Sequence, residues 1–406
     1  MQLLKCLSFG PILVLACIHS SQASSVSSRS GLDSQKRQEI PKRMQQFVDD
    51  GAIAGAVTLV ARQGQVASLD AVGLADIGAR RPMRPDSLFW IASMTKPITA
   101  TAVLMLRDEG KLSVDDPVEK YLPEFKSQWM IESRATNNMT LKPSPRPITL
   151  RDLLTHTSGL ADVPAPRADC TLAELVMAYS QKPLKFAPGS KWEYCNSGIN
   201  TLGRIVEVAA GQTFEGFLEQ RIFKPLGMKD TTFWPSPSQA KRLAKSYSPS
   251  QSGRGLEETD IWFIKGNLSD HNRTPFPSGG LFSTAQDMFR FYQMVLNGGT
   301  ANGKRLIARD SVELMTRTQT GDLKAGFTEG MSFGLGWAVV KEPMGVTAVL
   351  SPGTFGHGGA YGTQGWVDPK KDLILVLMIQ RAKLQNADAS PIRKAFQEAA
   401  VEAIIE

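Results

Sequence analysis

Three short stretches carry side chains able to work together on a carbonyl group. In IASMTKPITA, residues 91–100, Lys96 follows Ser93 by three positions. On a helix such residues share one face with Cβ atoms about 5–6 Å apart, so the amine reaches the hydroxyl. A serine hydroxyl is a poor nucleophile until a base takes its proton, and a lysine serves as that base only when its pKa is lowered. Burial lowers it, and the positive end of a helix lowers it further. The following TAVLMLRDEG is uninterrupted apolar from Ala102 to Leu106, which predicts a helix buried on all sides, from about Met94 to Glu109 with Gly110 as its cap. Pro97 falls about one turn in, where little backbone hydrogen bonding is lost. The same Ser-x-x-Lys spacing at Ser238 and Lys241 lies in the polar, proline-punctuated PSPSQAKR and reads as a solvated loop.

The second stretch is Tyr194-Cys195-Asn196, just before a helix that Asn196 or Ser197 is placed to cap. It reads either as a turn with a core tyrosine, or as a phenol that relays protons beside an amide that orients substrate. The third is His357-Gly358-Gly359 in the glycine-dense SPGTFGHGGAYGTQGWVDP. Glycine in a strand marks close backbone approach, to a ligand or to a neighbouring element. Two further matches fail on context. Gly330-Met331-Ser332-Phe333-Gly334 has the Gly-x-Ser-x-Gly spacing of a nucleophile elbow, but GLGWAVV after it reads as a strand and no Asp lies between Ser332 and His357. Residues 298–304 have the spacing of a phosphate loop, but Arg305 stands where Ser or Thr is required, so a surface loop is expected. With four histidines, no His-Glu-x-x-His and no paired cysteine spacing, neither a metal nor a nucleotide cofactor is expected.

The elements that must position these groups follow from periodicity. DSQKRQEIPKRMQQFVDDG is an amphipathic helix stopping at Gly51. Two strands flank the turn Gln63-Gly64-Gln65, with Val57, Leu59 and Ala61 alternating with polar or small neighbours. From 107 to 270 helices dominate: Thr149 to Asp152 forms a capping box opening RDLLTH, and GINTLGRIVEVAAG and FEGFLEQRI have helical spacing. Strands return in GLGWAVV, TFGHGG, TQGWVDP and LILVLMI, and PIRKAFQEAAVEAII is a closing helix. The expected fold is α+β: N- and C-terminal strands joined in one antiparallel sheet flanked by helices, with an inserted mainly helical lobe. Residues 24–106 and 271–406 would form the α/β lobe and 107–270 the helical lobe.

The three motifs in this order, Ser93-x-x-Lys96, Tyr194-x-Asn196 and His357-x-Gly359, resemble those of the class C beta-lactamase-like serine hydrolases, a group that also holds DD-carboxypeptidases and beta-lactamase-fold esterases. SMTKPITATAVLMLRDEGKLSVDDPVEKYLPEF, ITLRDLLTHTSGL, FKPLGMKDTTF, PSGGLFSTAQDM and GHGGAYGTQGWVDP are similar to the same family, so the resemblance spans most of the chain. It implies the beta-lactamase/transpeptidase-like fold, with Ser93 acylated and Lys96 deprotonating it. It further implies Tyr194 as acid and base near the leaving group, Asn196 at the substrate, and the N–H groups of Ser93 and Ala360 as oxyanion donors. His357 stands where a beta-lactamase of this class carries Lys, and Gly358 removes a Thr hydroxyl expected to bind a substrate carboxylate. The expected substrate is an ester, a beta-lactam or a peptidoglycan peptide. A non-catalytic module binding cell-wall peptide is the alternative from another class.

Composition sets the remaining bounds. At 406 residues, 42% hydrophobic and 21% charged, the chain has the make-up of a soluble globular protein. Its net charge of +7 is scattered, whereas a nucleic-acid binder concentrates charge in a stripe or tail, so no nucleic-acid partner is expected. Residues 1–23, with Lys5, an apolar stretch from Leu7 to Ile18 and the exit Ser21-Gln22-Ala23, have the pattern of a signal peptide too short to span a bilayer stably. The protein is therefore expected to be exported, periplasmic or extracellular. Val14-Leu15-Ala16-Cys17 also resembles a lipobox, which would give a lipid anchor at Cys17. Removing the leader leaves Cys170 and Cys195, which either pair or remain free thiols.

Overall fold

The computed structural model describes residues 31–252 and 255–405; the leader, its cleavage site and Cys17 lie outside them. Helix α1, Glu39–Asp49, buries Ile40 and Met44 and ends before Gly51, whose φ of +69° only glycine adopts freely. Strands β1, Gly55–Arg62, and β2, Gln65–Asp76, follow as a hairpin whose two turn residues, Gln63 and Gly64, both have positive φ. That pair of conformations matches the right-handed twist of the flanking strands. A short β3, Arg81–Pro82, closes this edge.

The C-terminal strands are β4, Met331–Phe333; β5, Ala338–Val340; β6, Phe355–Gly358; β7, Gln364–Asp368; and β8, Leu373–Met378. All eight form one antiparallel sheet in the order β4-β5-β6-β7-β8-β1-β2-β3. The two ends of the chain meet where β1 pairs with β8, Val57 opposite Met378 through Arg62 opposite Leu373. The expected antiparallel sheet from both ends of the chain is thus present.

One local expectation needs correcting. Val57, Leu59 and Ala61 do share a face, but their neighbours Ala56, Thr58 and Val60 are buried as well. Helices cover both sides of the sheet: Val57, Leu59, Val376 and Met378 pack into the large central core, and Ala56, Val60, Leu375 and Leu377 pack with Ile40, Ile392 and Phe396. A strand buried on both faces carries no strict polar alternation.

Helix α2, Thr95–Asp108, runs behind the sheet with every residue from Thr95 to Leu106 buried, as its apolar run predicts. Its hydroxyls are satisfied internally: Thr101 Oγ1 donates to Pro97 O at 2.8 Å and Thr99 Oγ1 to Pro277 O at 2.8 Å. The stretch from 107 to 270 holds α3, Leu150–Leu154, opened by the Thr149–Asp152 capping box; α4, Leu172–Ser180; and α5, Asn196–Ala210. It also holds two small hairpins, Trp129–Arg134 with Met139–Pro143 and Tyr247–Pro249 with Leu256–Glu258, which the helical reading did not anticipate. Much of the first hairpin is solvated, so it carries no burial-driven alternation. Helix α6, Ala285–Leu296, covers the inner face of the sheet, and α7, Pro391–Glu402, the outer face beside α1. Cys170 and Cys195 are both buried free thiols. Among the described residues, no helix is long and apolar enough to cross a membrane.

Candidate active site

Ser93 sits in a single 3-10 turn, Ala92–Met94, that runs directly into α2. Ala92 has φ +47°, a left-handed conformation costing a non-glycine residue of order 1–3 kcal/mol. This bend turns the chain so that Ser93 is half-buried at the cleft while Lys96, one turn on, points inward with none of its surface exposed.

The Lys96 amine lies 3.0 Å from Ser93 Oγ, 2.9 Å from Asn196 Oδ1 and 2.6 Å from Ser278 O. It also lies 4.6 Å from the centre of the Tyr194 ring. Burial pulls its pKa from 10.5 down to about 7, with Asp162 and Cys195 pulling weakly the other way. A neutral amine has two N–H donors and one lone pair. Asn196 and Ser278 provide two acceptors for the donors, which leaves the lone pair for the Ser93 hydroxyl.

Tyr194 borders the cleft with its ring packed among aromatics, 4.5 Å from His156, 4.8 Å from Phe327 and 6.1 Å from His357 between ring centres. That burial pushes the phenol well above its ordinary pKa, offset in part by the Ser93 hydroxyl, so Tyr194 is a neutral phenol at physiological pH. Asn196 is the first residue of α5, which neither it nor Ser197 caps with its side chain. Asp162 does so from a loop: its Oδ1 accepts the Ser197 N–H at 2.8 Å, and its Oδ2 accepts from Asn196 Nδ2 at 3.3 Å. Both ends of the Asn196 amide are therefore engaged, one on Lys96 and one on Asp162.

His357 is buried on β6, and its Nδ1 lies 2.7 Å from Gly358 O. That contact requires the proton on Nδ1. Burial, and then the nearby Lys96, pull its pKa down to about 3, so the imidazole is neutral. A Cβ on Gly359 would stand 2.7 Å from Ile91 O and 3.3 Å from the Ala92 Cβ, so glycine is required for the end of β6 to approach the nucleophile turn. The approach brings Ala360 and Ser93 to the wall of one small cleft of about 120 Å³. Neither backbone N–H of this pair donates to a backbone acceptor among the described residues. Trp262 and Phe263, which line the cleft, continue with Asn196 into a cavity of about 400 Å³ bounded by Val163, Ala165 and Phe276.

All seven residues read from the sequence, Ser93, Lys96, Tyr194, Asn196, His357, Gly359 and Ala360, converge on this place. The false matches do not. Ser332 is buried on β4, where its hydroxyl is 3.0 Å from Thr320 Oγ1; the next residue, Phe333, is the one that packs on the His156 and His357 rings. Ser238 and Lys241 are solvent-exposed, and residues 298–304 form part of a short hairpin, Thr300–Ala301 with Lys304–Arg305. Sequence reasoning missed Ser278, Asp162 and His156. Ser278 acts through its backbone carbonyl, which no residue type reports. His156, its Nδ1 accepting the Cys195 N–H at 3.2 Å, gave no spacing signal.

Residues 40–399 match the Beta-lactamase family. Esterase EstB of Burkholderia gladioli is 31% identical over 368 residues, covering 83% of this chain and 88% of that protein. The chain belongs to the Beta-lactamase family. Protein Rv1367c of Mycobacterium tuberculosis is 35% identical over 377 residues, covering 86% of this chain and 90% of that one. Among solved structures, EstCE1, described as a hydrolase with promiscuous acyltransferase activity, superposes with a TM-score of 0.74 over 92% of this chain and all of that one. At 23% identity that likeness shows the fold alone.

Proposed function

We infer that this protein is a serine acyl hydrolase acting on esters through an acyl-enzyme at Ser93. The observation that carries the reading is the contact between Ser93 Oγ and a fully buried Lys96 whose pKa has fallen to about 7. Neutral Lys96 takes the hydroxyl proton as Ser93 Oγ attacks the ester carbonyl. The Ser93 and Ala360 N–H groups receive the oxyanion, where preformed donors act most strongly because charge develops there only in the transition state. Tyr194, held as a neutral phenol, delivers a proton to the departing alkoxide and recovers one from Lys96. Water then attacks the acyl-Ser93, releasing the carboxylic acid and restoring the hydroxyl. Asn196 and Ser278 hold the amine on Ser93 and are positioning groups.

The joined cavity, largely apolar but with Arg167, Lys265 and Arg273 at its wall, suits an ester with one bulky hydrophobic arm. A beta-lactam or a D-Ala-D-Ala peptide would use the same acyl-Ser93, but neutral His357 offers no positive charge to their carboxylates. Side-by-side turnover of p-nitrophenyl butyrate, nitrocefin and a D-Ala-D-Ala peptide tests the preference. Hydrolysis led by the ester is expected; binding of all three without turnover would replace the reading with a non-catalytic cell-wall module. We also propose export from the cytoplasm, on the strength of the leader pattern in residues 1–23.

A further inference from the structure

Gly358 carries no hydroxyl to hold a substrate carboxylate, and the structure shows what stands there instead. A Cβ built on Gly358 falls well inside contact distance of Asp388 Oδ1 and lies 2.6 Å from Gln364 Nε2. A side chain at 358 is thus replaced by a carboxyl group of the protein itself. Asp388 is held in place from behind. Arg393, 1% exposed and stacked 4.0 Å from the centre of the Trp366 ring, donates to Asp388 O at 2.7 Å and lies 3.7 Å from its Oδ1. Gln364 is fixed by accepting the Trp366 indole N–H at 2.9 Å and donating to Ala387 O at 3.2 Å. The Asp388 carboxyl is 18% exposed; burial raises its pKa, and Arg393 and then Gln364 favour the ionised form.

We propose that Asp388 is a specificity-determining residue: standing beside Gly358 and occupying the Arg393 guanidinium, it denies an anionic group on the leaving-alcohol arm both room and a counter-charge, and confines turnover to neutral or cationic leaving groups. The assignment of that arm rests on the acyl-hydrolase reading: the alcohol departs on the Tyr194 side, and the loop carrying Asp388 reaches that wall through Asn386, whose Nδ2 donates to Phe327 O at 2.8 Å, the Phe327 ring lying 4.8 Å from that of Tyr194. Penicillins and D-Ala-D-Ala peptides both carry a carboxylate on the departing arm, so this group disfavours them without closing the cleft to esters. Like charges placed together are a recognised means of rejecting wrong partners.

The test compares phenyl butyrate, 3-carboxyphenyl butyrate and 3-(trimethylammonio)phenyl butyrate, each rate divided by its hydroxide-catalysed rate. For the wild type, kcat/KM for the neutral ester should exceed that for the anionic one by about tenfold or more, and the cationic ester should do at least as well as the neutral one. In Asp388→Asn the neutral-to-anionic ratio should fall toward one. In Asp388→Ala, which also uncovers Arg393, it should fall further. Because the readout is a ratio, a partly unfolded variant leaves it unchanged. A wild-type ratio near one, equal discrimination against the cationic ester, or an unaltered ratio in both folded variants overturns the proposal. If neither variant folds, the wild-type comparison of anionic with cationic ester still decides. Absence of turnover of phenyl butyrate would instead bring down the acyl-hydrolase reading.

Discussion

The charge state of Lys96 should set the acidic limb of the pH–rate profile. Burial lowers its pKa from 10.5 to about 7, which is worth ~5 kcal/mol. The side chain is fully buried, so solvent screening does not reduce that figure. Only the neutral amine accepts the Ser93 proton. Thus kcat/KM should be about one-tenth of its plateau at pH 6 and about one-hundredth at pH 5. The other groups around the amine do not compete for this limb: His357 titrates at about 3, His156 lies well below its ordinary value, and burial holds Tyr194 and Cys195 well above theirs. A pH-stat assay on a neutral alkyl ester, whose own reactivity lacks a titration in this range, is the measurement. The same shift enters stability with a definite sign. The folded pKa is below the unfolded one, so between pH 7 and 10.5 the unfolded chain binds more protons and stability rises with pH. Relative to Lys96→Met, the wild type should gain about 2 kcal/mol between pH 7 and 9, read from urea unfolding. An acidic limb centred near pH 5 or above pH 9, or a stability difference flat with pH, would refute the reasoning.

Other consequences are narrower. Lys96→Met removes the base without leaving a charge in its buried site and should lower kcat on the order of a thousandfold with the fold intact by circular dichroism. Asp162→Asn removes a negative charge that raises the Lys96 pKa but keeps an oxygen to accept the Ser197 N–H, so the acidic limb should move to lower pH while stability in urea unfolding changes by less than about 1 kcal/mol. Gly203→Ala places a methyl 2.8 Å from Pro277 Cβ, next to the Ser278 carbonyl that holds Lys96; about 1–3 kcal/mol of stability should be lost and kcat should fall more than KM changes.

Much of this site was legible because its chemistry lies in residue types at short spacings. Ser93 and Lys96 are one turn apart, and an amine at the head of an apolar helix is conspicuous before any coordinates. Gly359 was legible for the same reason, since a strand without side chains asks what lies against it, and the answer is Ile91 O and Ala92. Ser278 was not legible, because a backbone carbonyl is contributed by every residue. Asp162 caps a helix from 35 positions away, and Asp388 meets Gly358 across a chain reversal; such pairings are created by the tertiary fold and leave no local pattern. The alternation assumed for β1 failed because α1 and α7 cover the face that a two-layer protein would leave to water.

The most direct measurement of the central claim is peptide mass mapping after a rapid acid quench of the enzyme turning over a slow ester, and after labelling with a fluorophosphonate. The account predicts one acyl or phosphonyl group per chain on the peptide containing Ser93, absent in Ser93→Ala. An adduct on Ser332 or another residue, or sustained hydrolysis with Ser93 unmodified under both treatments, would contradict it.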